Sequence, residues 1–298
     1  MKMFEGLSAF PITPADASGR VDALGLGRLL ERLVEAGVQS IGLLGSTGTY
    51  AYLSRAERRR AVISAVGCVG GAVPVIVGVG ALRTDEAVAL AEDAAAAGAD
   101  GLLLAPVSYT PLTAEEVFVH FQAVAGATDL PLCIYNNPGT THFTFDLELL
   151  QRLAGVPGIA AVKMPLPGDG DFAADLARLR AGLPDGFRIG YSGDWGCAAG
   201  LLAGADAWYS VVAGLLPGPT LALARAAMAR DQGASAEIEA GFTPLWALFR
   251  EFGSLRVVYA AAGLMGMTDC APPRPVLPLP ETEMGRVAEA LKRVEAVG

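Results

Sequence analysis

The chain has 298 residues, of which 52% are hydrophobic and only 18% charged, with a formal net charge of −9. That composition supplies a sizeable core and excludes disorder. The acidic balance, with no basic cluster beyond Arg58-Arg59-Arg60, excludes a nucleic-acid footprint, and no apolar run is long enough to span a bilayer.

In chain order, the opening Met1 to Phe10 carries one lysine and no continuous apolar stretch, so no export signal is expected and the protein is expected to be cytoplasmic. Short apolar runs then alternate with longer amphipathic or alanine-rich segments. The pattern predicts a strand over Leu7–Phe10 and a helix over Leu24–Ala36, then Ser40–Leu44 with Arg55–Val66, Val73–Val79 with Asp85–Ala97, and Gly101–Ala105 with Ala114–Ala125. Four further pairs follow: Leu132–Tyr135 with Asp146–Leu153, Ile159–Lys163 with Phe172–Ala181, Phe187–Ser192 with Trp195–Leu202, and Ala207–Val211 with Pro219–Arg230. Glycines at 37, 98 and 204 are expected to stop helices ahead of the next strand. Ser54, Thr84 and Thr113 are expected N-caps, Ser54 forming a capping box with Glu57.

Eight such units, with strands too apolar to have a wet face, predict a parallel sheet covered by helices and closed into a TIM (β/α)8 barrel. After Arg230 the pattern is helical apart from the proline-rich Ala271–Pro280. The expected organisation is a barrel over 1–230 and a helical extension of the same domain over 231–298.

Functional groups in such a barrel come from the C-terminal ends of the strands. The polar groups there are few: Gly45-Ser46-Thr47-Gly48, Pro106-Val107-Ser108-Tyr109, Tyr135-Asn136-Asn137-Pro138-Gly139-Thr140-Thr141, Lys163 and Ser192-Gly193-Asp194. The chain holds three lysines, and Lys2 and Lys292 sit near its ends; only Lys163 lies in an apolar strand. An amine there is either ion-paired, with Asp194 the one acid among the strand ends, or kept for chemistry that guanidinium cannot perform. Burial disfavours an ammonium, and a free amine condenses with a ketone to a Schiff base, which makes Lys163 the candidate nucleophile. Tyr135 on the adjacent strand is either a proton relay or an aromatic cap on the barrel core. The Gly-Ser-Thr-Gly loop is either a turn or a cradle of hydroxyls and backbone N–H groups for a carboxylate.

Cys68, Cys133, Cys197 and Cys270 lie far apart, and the histidines are only His120 and His142, so neither a redox pair nor a zinc cluster is expected. The cysteines are expected to be buried small hydrophobes.

The combination of Gly45-Ser46-Thr47-Gly48, Tyr135-Asn136-Asn137-Pro138-Gly139 and Lys163 resembles the dihydrodipicolinate synthase/N-acetylneuraminate lyase family. Ala9-Phe10-Pro11-Ile12-Thr13-Pro14 and Gly204-Ala205-Asp206-Ala207-Trp208-Tyr209-Ser210 extend the resemblance over nearly the whole chain. It implies a class I lyase or aldolase without metal or organic cofactor, in which Lys163 forms an imine with pyruvate or another 2-oxo acid. Tyr135 would be its general acid and base, with Ser46 joining the relay, and Ser46, Thr47, Gly48, Thr140 and Tyr209 would contact substrate. It further implies a homotetramer, a dimer of dimers, in which a tyrosine after the fourth strand reaches a neighbouring site. Tyr109 is the candidate, displaced by one residue from the family's paired tyrosines, so that Ser108 remains the alternative occupant of that position.

The sequence also departs from the family. Dihydrodipicolinate synthases carry an arginine where Thr140 stands, and a hydroxyl cannot supply arginine's bidentate carboxylate fork. Thr49 replaces an acid after the Gly-Ser-Thr-Gly loop, and Met164-Pro165 follows Lys163. The expected reaction is therefore retro-aldol cleavage or dehydration of a 2-keto-3-deoxy sugar acid or similar compound. The alternatives are a genuine dihydrodipicolinate synthase condensing pyruvate with aspartate semialdehyde and, from another class, a non-catalytic 2-oxo-acid-binding protein. A phosphate-site aldolase barrel ranks last, because Gly204 to Ser210 lacks a glycine-pair cradle.

Overall fold

The computed structural model describes residues 2–297. Eight parallel strands close into a barrel in sequence order: β1 (Gly6–Ala9), β2 (Ser40–Leu43), β3 (Val75–Gly78), β4 (Gly101–Leu104), β5 (Leu132–Tyr135), β6 (Ile159–Pro165), β7 (Arg188–Ser192) and β8 (Ala207–Ser210), which pairs back onto β1. All eight expected strands are present, and the architecture is the expected TIM barrel. β6 runs past Lys163 because Met164 and Pro165 stay in register with Tyr191 and Ser192. The strands have no wet face because both sides are used. Alternate residues such as Ile76, Leu103, Cys133, Ala161 and Tyr209 pack inward with Phe4 and Phe10, and the others face the helices in a separate, larger core.

The surrounding helices are α1 (Ala23–Ala36), α2 (Arg55–Val69), α3 (Thr84–Ala96), α4 (Ala114–Ala125), α5 (Pro138–Thr141), α6 (Leu147–Ala154), α7 (Phe172–Gly182), α8 (Asp194–Leu202) and α9 (Pro217–Met228). The short α5 falls in a stretch read from the sequence as a loop; its proline sits in the first turn, where a missing N–H costs nothing. Gly37 is the expected left-handed C-cap of α1, with φ 77°. Thr113 is the expected N-cap of α4, and Glu116 returns to it to complete a capping box. Ser54 accepts from the Glu57 amide, but Glu57 does not reciprocate, since its carboxylate accepts from the Val21 amide at 2.8 Å. Thr84 is not a cap. It is the first residue of α3, and its hydroxyl is 2.9 Å from His120 Nδ1 on α4.

Three helices follow the barrel: α10 (Gln232–Phe252), α11 (Ser254–Leu264) and α12 (Met284–Glu295). α10 packs on α8, α9 and α12, while α11 reaches the barrel mouth, where Tyr259 donates to the Thr13 carbonyl at 3.5 Å. The proline-rich stretch between α11 and α12 holds neither helix nor strand over residues 271–280. No helix among the described residues is long and apolar enough to cross a membrane. Cys133 and Cys197 are buried as expected, but Cys68 is exposed and Cys270 only half-buried. Cys68 lies at the last turn of α2, where its thiol faces Gly27 of α1 rather than the core.

Candidate active site

The upper floor of the barrel is aromatic. Phe10 follows β1, Tyr135 ends β5 and Tyr209 lies within β8, and all three belong to the inward-facing core. The Tyr209 ring meets Phe10 edge-on at 6.0 Å, and its hydroxyl is 3.5 Å from the Cys133 thiol. Glycines make room for these rings. A Cβ at Gly42 would strike Phe10, one at Gly45 would come within 2.6 Å of it, and one at Gly190 would lie 2.6 Å from Tyr209.

Lys163 enters this floor from β6, in register with Tyr135 on one side and Gly190 on the other. It is only 3% exposed. Its Nζ lies 3.9 Å from the Phe10 ring centroid, 4.1 Å from that of Tyr135 and 5.8 Å from that of Tyr209. Among the described residues no carboxylate is ion-paired with it. Asp194, the one acid available on the sequence reading, is committed elsewhere. Its oxygens accept from Trp208 Nε1 at 2.8 Å and from the Val212 amide at 3.0 Å, and burial raises its pKa. The ion-pair reading of Lys163 therefore fails.

Beside the amine, the Tyr135 hydroxyl accepts from Asn137 Nδ2 at 3.0 Å and, more distantly, from Ser46 Oγ at 3.5 Å. Ser46 belongs to a tightly folded loop whose flanking residues, Leu44 and Thr49, are both left-handed with φ near 55°. Such conformations cost of order 1–3 kcal/mol each in non-glycine residues and persist where neighbours over-determine them. Here a Cβ on Gly48 would come within 2.9 Å of Leu44 Cα, and one on Gly78 of β3 would collide with the Leu44 carbonyl. From above, Tyr259 of α11 donates to the Thr13 carbonyl, and burial pushes its phenol up to about 12. Thr47 and Thr49 are buried in this loop, while Ser46 stays half-open beside Tyr135.

Other expected residues lie apart. Thr140 is exposed on α5, where its hydroxyl accepts from Asn137 Nδ2 at 2.9 Å, so that one amide links it to Tyr135. Tyr109 is 96% exposed and takes no part in its own chain's site. Tyr209 is 1% exposed beneath the amine, with its hydroxyl against Cys133. A cavity of about 360 Å³ lies outside the barrel between α3 and α4, lined by Leu82, Thr84, Val107, Leu112, Val119 and His120. It contains none of the strand-end groups just described. Among the described residues no group of three or more His, Cys, Asp or Glu side chains is placed to hold a metal ion.

The family model of the dihydrodipicolinate synthetase family matches residues 3–294. The chain belongs to that family. Its members are class I lyases that act through a lysine Schiff base. It is similar to the 4-hydroxy-tetrahydrodipicolinate synthase of Salinibacter ruber, with 34% identity over 98% of this chain and 94% of that protein. Among solved structures it is similar to a dihydrodipicolinate synthase from Agrobacterium tumefaciens str. C58, with 62% identity, 98% of each chain covered and a TM-score of 0.97. A chloride-inhibited dihydrodipicolinate synthase from Acinetobacter baumannii, complexed with pyruvate, shows 29% identity over 98% of this chain and 99% of that one, with a TM-score of 0.88.

For this member of the dihydrodipicolinate synthetase family, sequence reasoning brought Lys163, Tyr135 and Ser46 to one place but missed three contributors. Asn137, which bonds the Tyr135 hydroxyl, was read only as part of a motif. Phe10 carried no polar signal, and Tyr259 comes from the helices after the barrel. Phe10 was read only within the Ala9–Pro14 motif, and its place directly after a strand whose end faces the mouth was the other clue.

Proposed function

We propose that the chain is a Schiff-base lyase or aldolase acting on pyruvate or a closely related 2-oxo acid. The observation that carries this reading is a strand-end lysine, buried, paired with no acid among the described residues and level with a hydrogen-bonded phenol. The pyruvate complex of the Acinetobacter baumannii relative supports the substrate class. Lys163 adds to the keto carbon, and Tyr135 moves protons to and from the reacting atoms with Ser46 beside it. The loop of Ser46, Thr47 and Gly48 offers hydroxyls and N–H groups to the substrate carboxylate. Tyr109 serves a neighbouring copy in a homotetramer, a role that its outward exposure supports.

For the second substrate, the names of the relatives favour 4-hydroxy-tetrahydrodipicolinate synthesis, in which pyruvate condenses with aspartate semialdehyde. One observation favours a different reading. The rim position of the family's carboxylate-gripping arginine holds Thr140, whose hydroxyl is tied to Asn137, and this suits a hydroxylated 2-oxo acid that needs no second cation. Pyruvate with borohydride should add mass irreversibly to the peptide containing Lys163. No adduct there would end the Schiff-base reading, and an adduct without turnover on any substrate would favour a binding protein. Assaying aspartate semialdehyde against 2-keto-3-deoxy sugar acids then separates the two enzymes.

A further inference from the structure

Among the described residues two buried cations, Arg58 and Lys163, lie near the mouth, and they are treated differently. Arg58 lies over the Tyr50 ring and also donates to the carbonyls of Gly78 and Gly80, both at 2.9 Å. The Lys163 amine, among the described residues, has ring faces around it and neither a hydrogen-bond nor an ion-pair partner. The nearest face is that of Phe10, which can neither donate nor accept a proton. Phe10 is seated deliberately, because side chains at Gly42 or Gly45 would occupy the space of its ring.

We infer that Phe10 is a further catalytic residue of this site, whose π face stabilises the positive charge on Lys163 Nζ before reaction as ammonium and after it as iminium. This rests on the Schiff-base reading above. A carboxylate in the same place would hold the proton and compete for the nitrogen, whereas a ring face steadies the charge and leaves the nitrogen free to attack. In the step concerned, the neutral amine adds to the keto carbon. The carbonyl oxygen leaves as water, taking one proton from the amine and one from the general acid, and the C=N bond formed keeps the positive charge on Nζ.

The other titratable groups around the amine are the Tyr135 phenol and Cys133 thiol from β5 and the Tyr209 phenol from β8, with the Asp194 carboxylate and Cys197 thiol of α8 felt only through their charge. Burial pushes Cys133 up to about 12 and holds Tyr209 and Cys197 well above their ordinary values, so none of those three titrates near neutrality. Asp194 is fixed by Trp208 and Val212.

The test incorporates phenylalanines bearing one, two or three ring fluorines at position 10 of the full chain, alongside Phe10→Leu. For each protein the rate of borohydride-trapped pyruvate adduct at Lys163 is followed against pH. Fluorination drains the π face while leaving the ring's shape, so the pH midpoint of trapping should fall stepwise with fluorine number, and by about one unit in Phe10→Leu. A midpoint unmoved across the fluorinated series, with trapping intact, would overturn the role of Phe10. Absence of trapping in the unaltered protein is a different result, one that removes the Schiff-base reading and this inference with it.

Discussion

Replacing Tyr135 with phenylalanine removes one oxygen from the site and leaves its shape. The ring remains 4.1 Å over Nζ, and the Asn137 amide keeps its second acceptor, the Thr140 hydroxyl at 2.9 Å. Ser46 is half-open, so its hydroxyl can turn to water. The structural loss is thus one hydrogen bond, about 1 kcal/mol, which in a chain of this size lowers Tm by about 1–2 °C. Turnover should suffer far more. Loss of a general acid/base slows a reaction by about 10²- to 10⁴-fold, equivalent to about 3–5 kcal/mol of barrier, several times the cost to the fold. Imine formation should still be detectable as borohydride-trapped adduct, because the amine and its surroundings are intact. Steady-state kinetics, trapping and a melting curve on the same preparation separate the contributions. Unchanged turnover would remove Tyr135 from the proton transfers, and a collapse of Tm by tens of degrees would mean that its hydroxyl is structural.

Lys163→Met should abolish trapping without lowering Tm, since an unpaired buried amine is exchanged for an apolar chain of similar length; a marked loss of stability in thermal melts would reveal a partner for the amine. Thr140→Arg restores a carboxylate fork at the rim and should raise kcat/KM for aspartate semialdehyde by about tenfold relative to a neutral hydroxylated substrate; equal effects on both would place position 140 outside the second-substrate path. His120 is buried with Nε2 unpartnered, and desolvation lowers its pKa from 6.5. Its contribution to stability is therefore complete above pH 6.5 and is lost as pH falls from there towards the lowered folded value, because the unfolded chain takes up the proton first. The fall in Tm over that window should flatten in His120→Gln, and an unaltered slope would assign the pH dependence to other groups.

The fold was legible because its signal is local and repeated. Each strand is a short apolar run bounded by turn residues, and each helix is a longer amphipathic segment, so boundaries fell within a few residues of those observed. Caps were less legible, because a side chain can be claimed from a distance. Thr84 went to His120 and the Glu57 carboxylate to Val21, neither of which its local sequence announces. In the site, Lys163 stood out as the one lysine in an apolar strand. Tyr209, offered as a substrate contact only by the family resemblance, turns its hydroxyl to Cys133 in the barrel interior, a direction that no local sequence signal announces.

By itself, then, the sequence determined the order of strands and helices, the closed barrel they build and the strand end that carries the amine, because these follow from hydrophobic period and chain connectivity. Tertiary structure alone decided what the amine faces. Phe10, Tyr135 and Tyr209 come from the first, fifth and eighth strand units, and they meet around Lys163 only because closing the barrel brings their inward faces together. The glycines that admit those rings lie on other strands again. Asp194, offered by sequence as an ion-pair partner, was drawn off by the Trp208 indole and the Val212 amide, leaving the amine surrounded by rings.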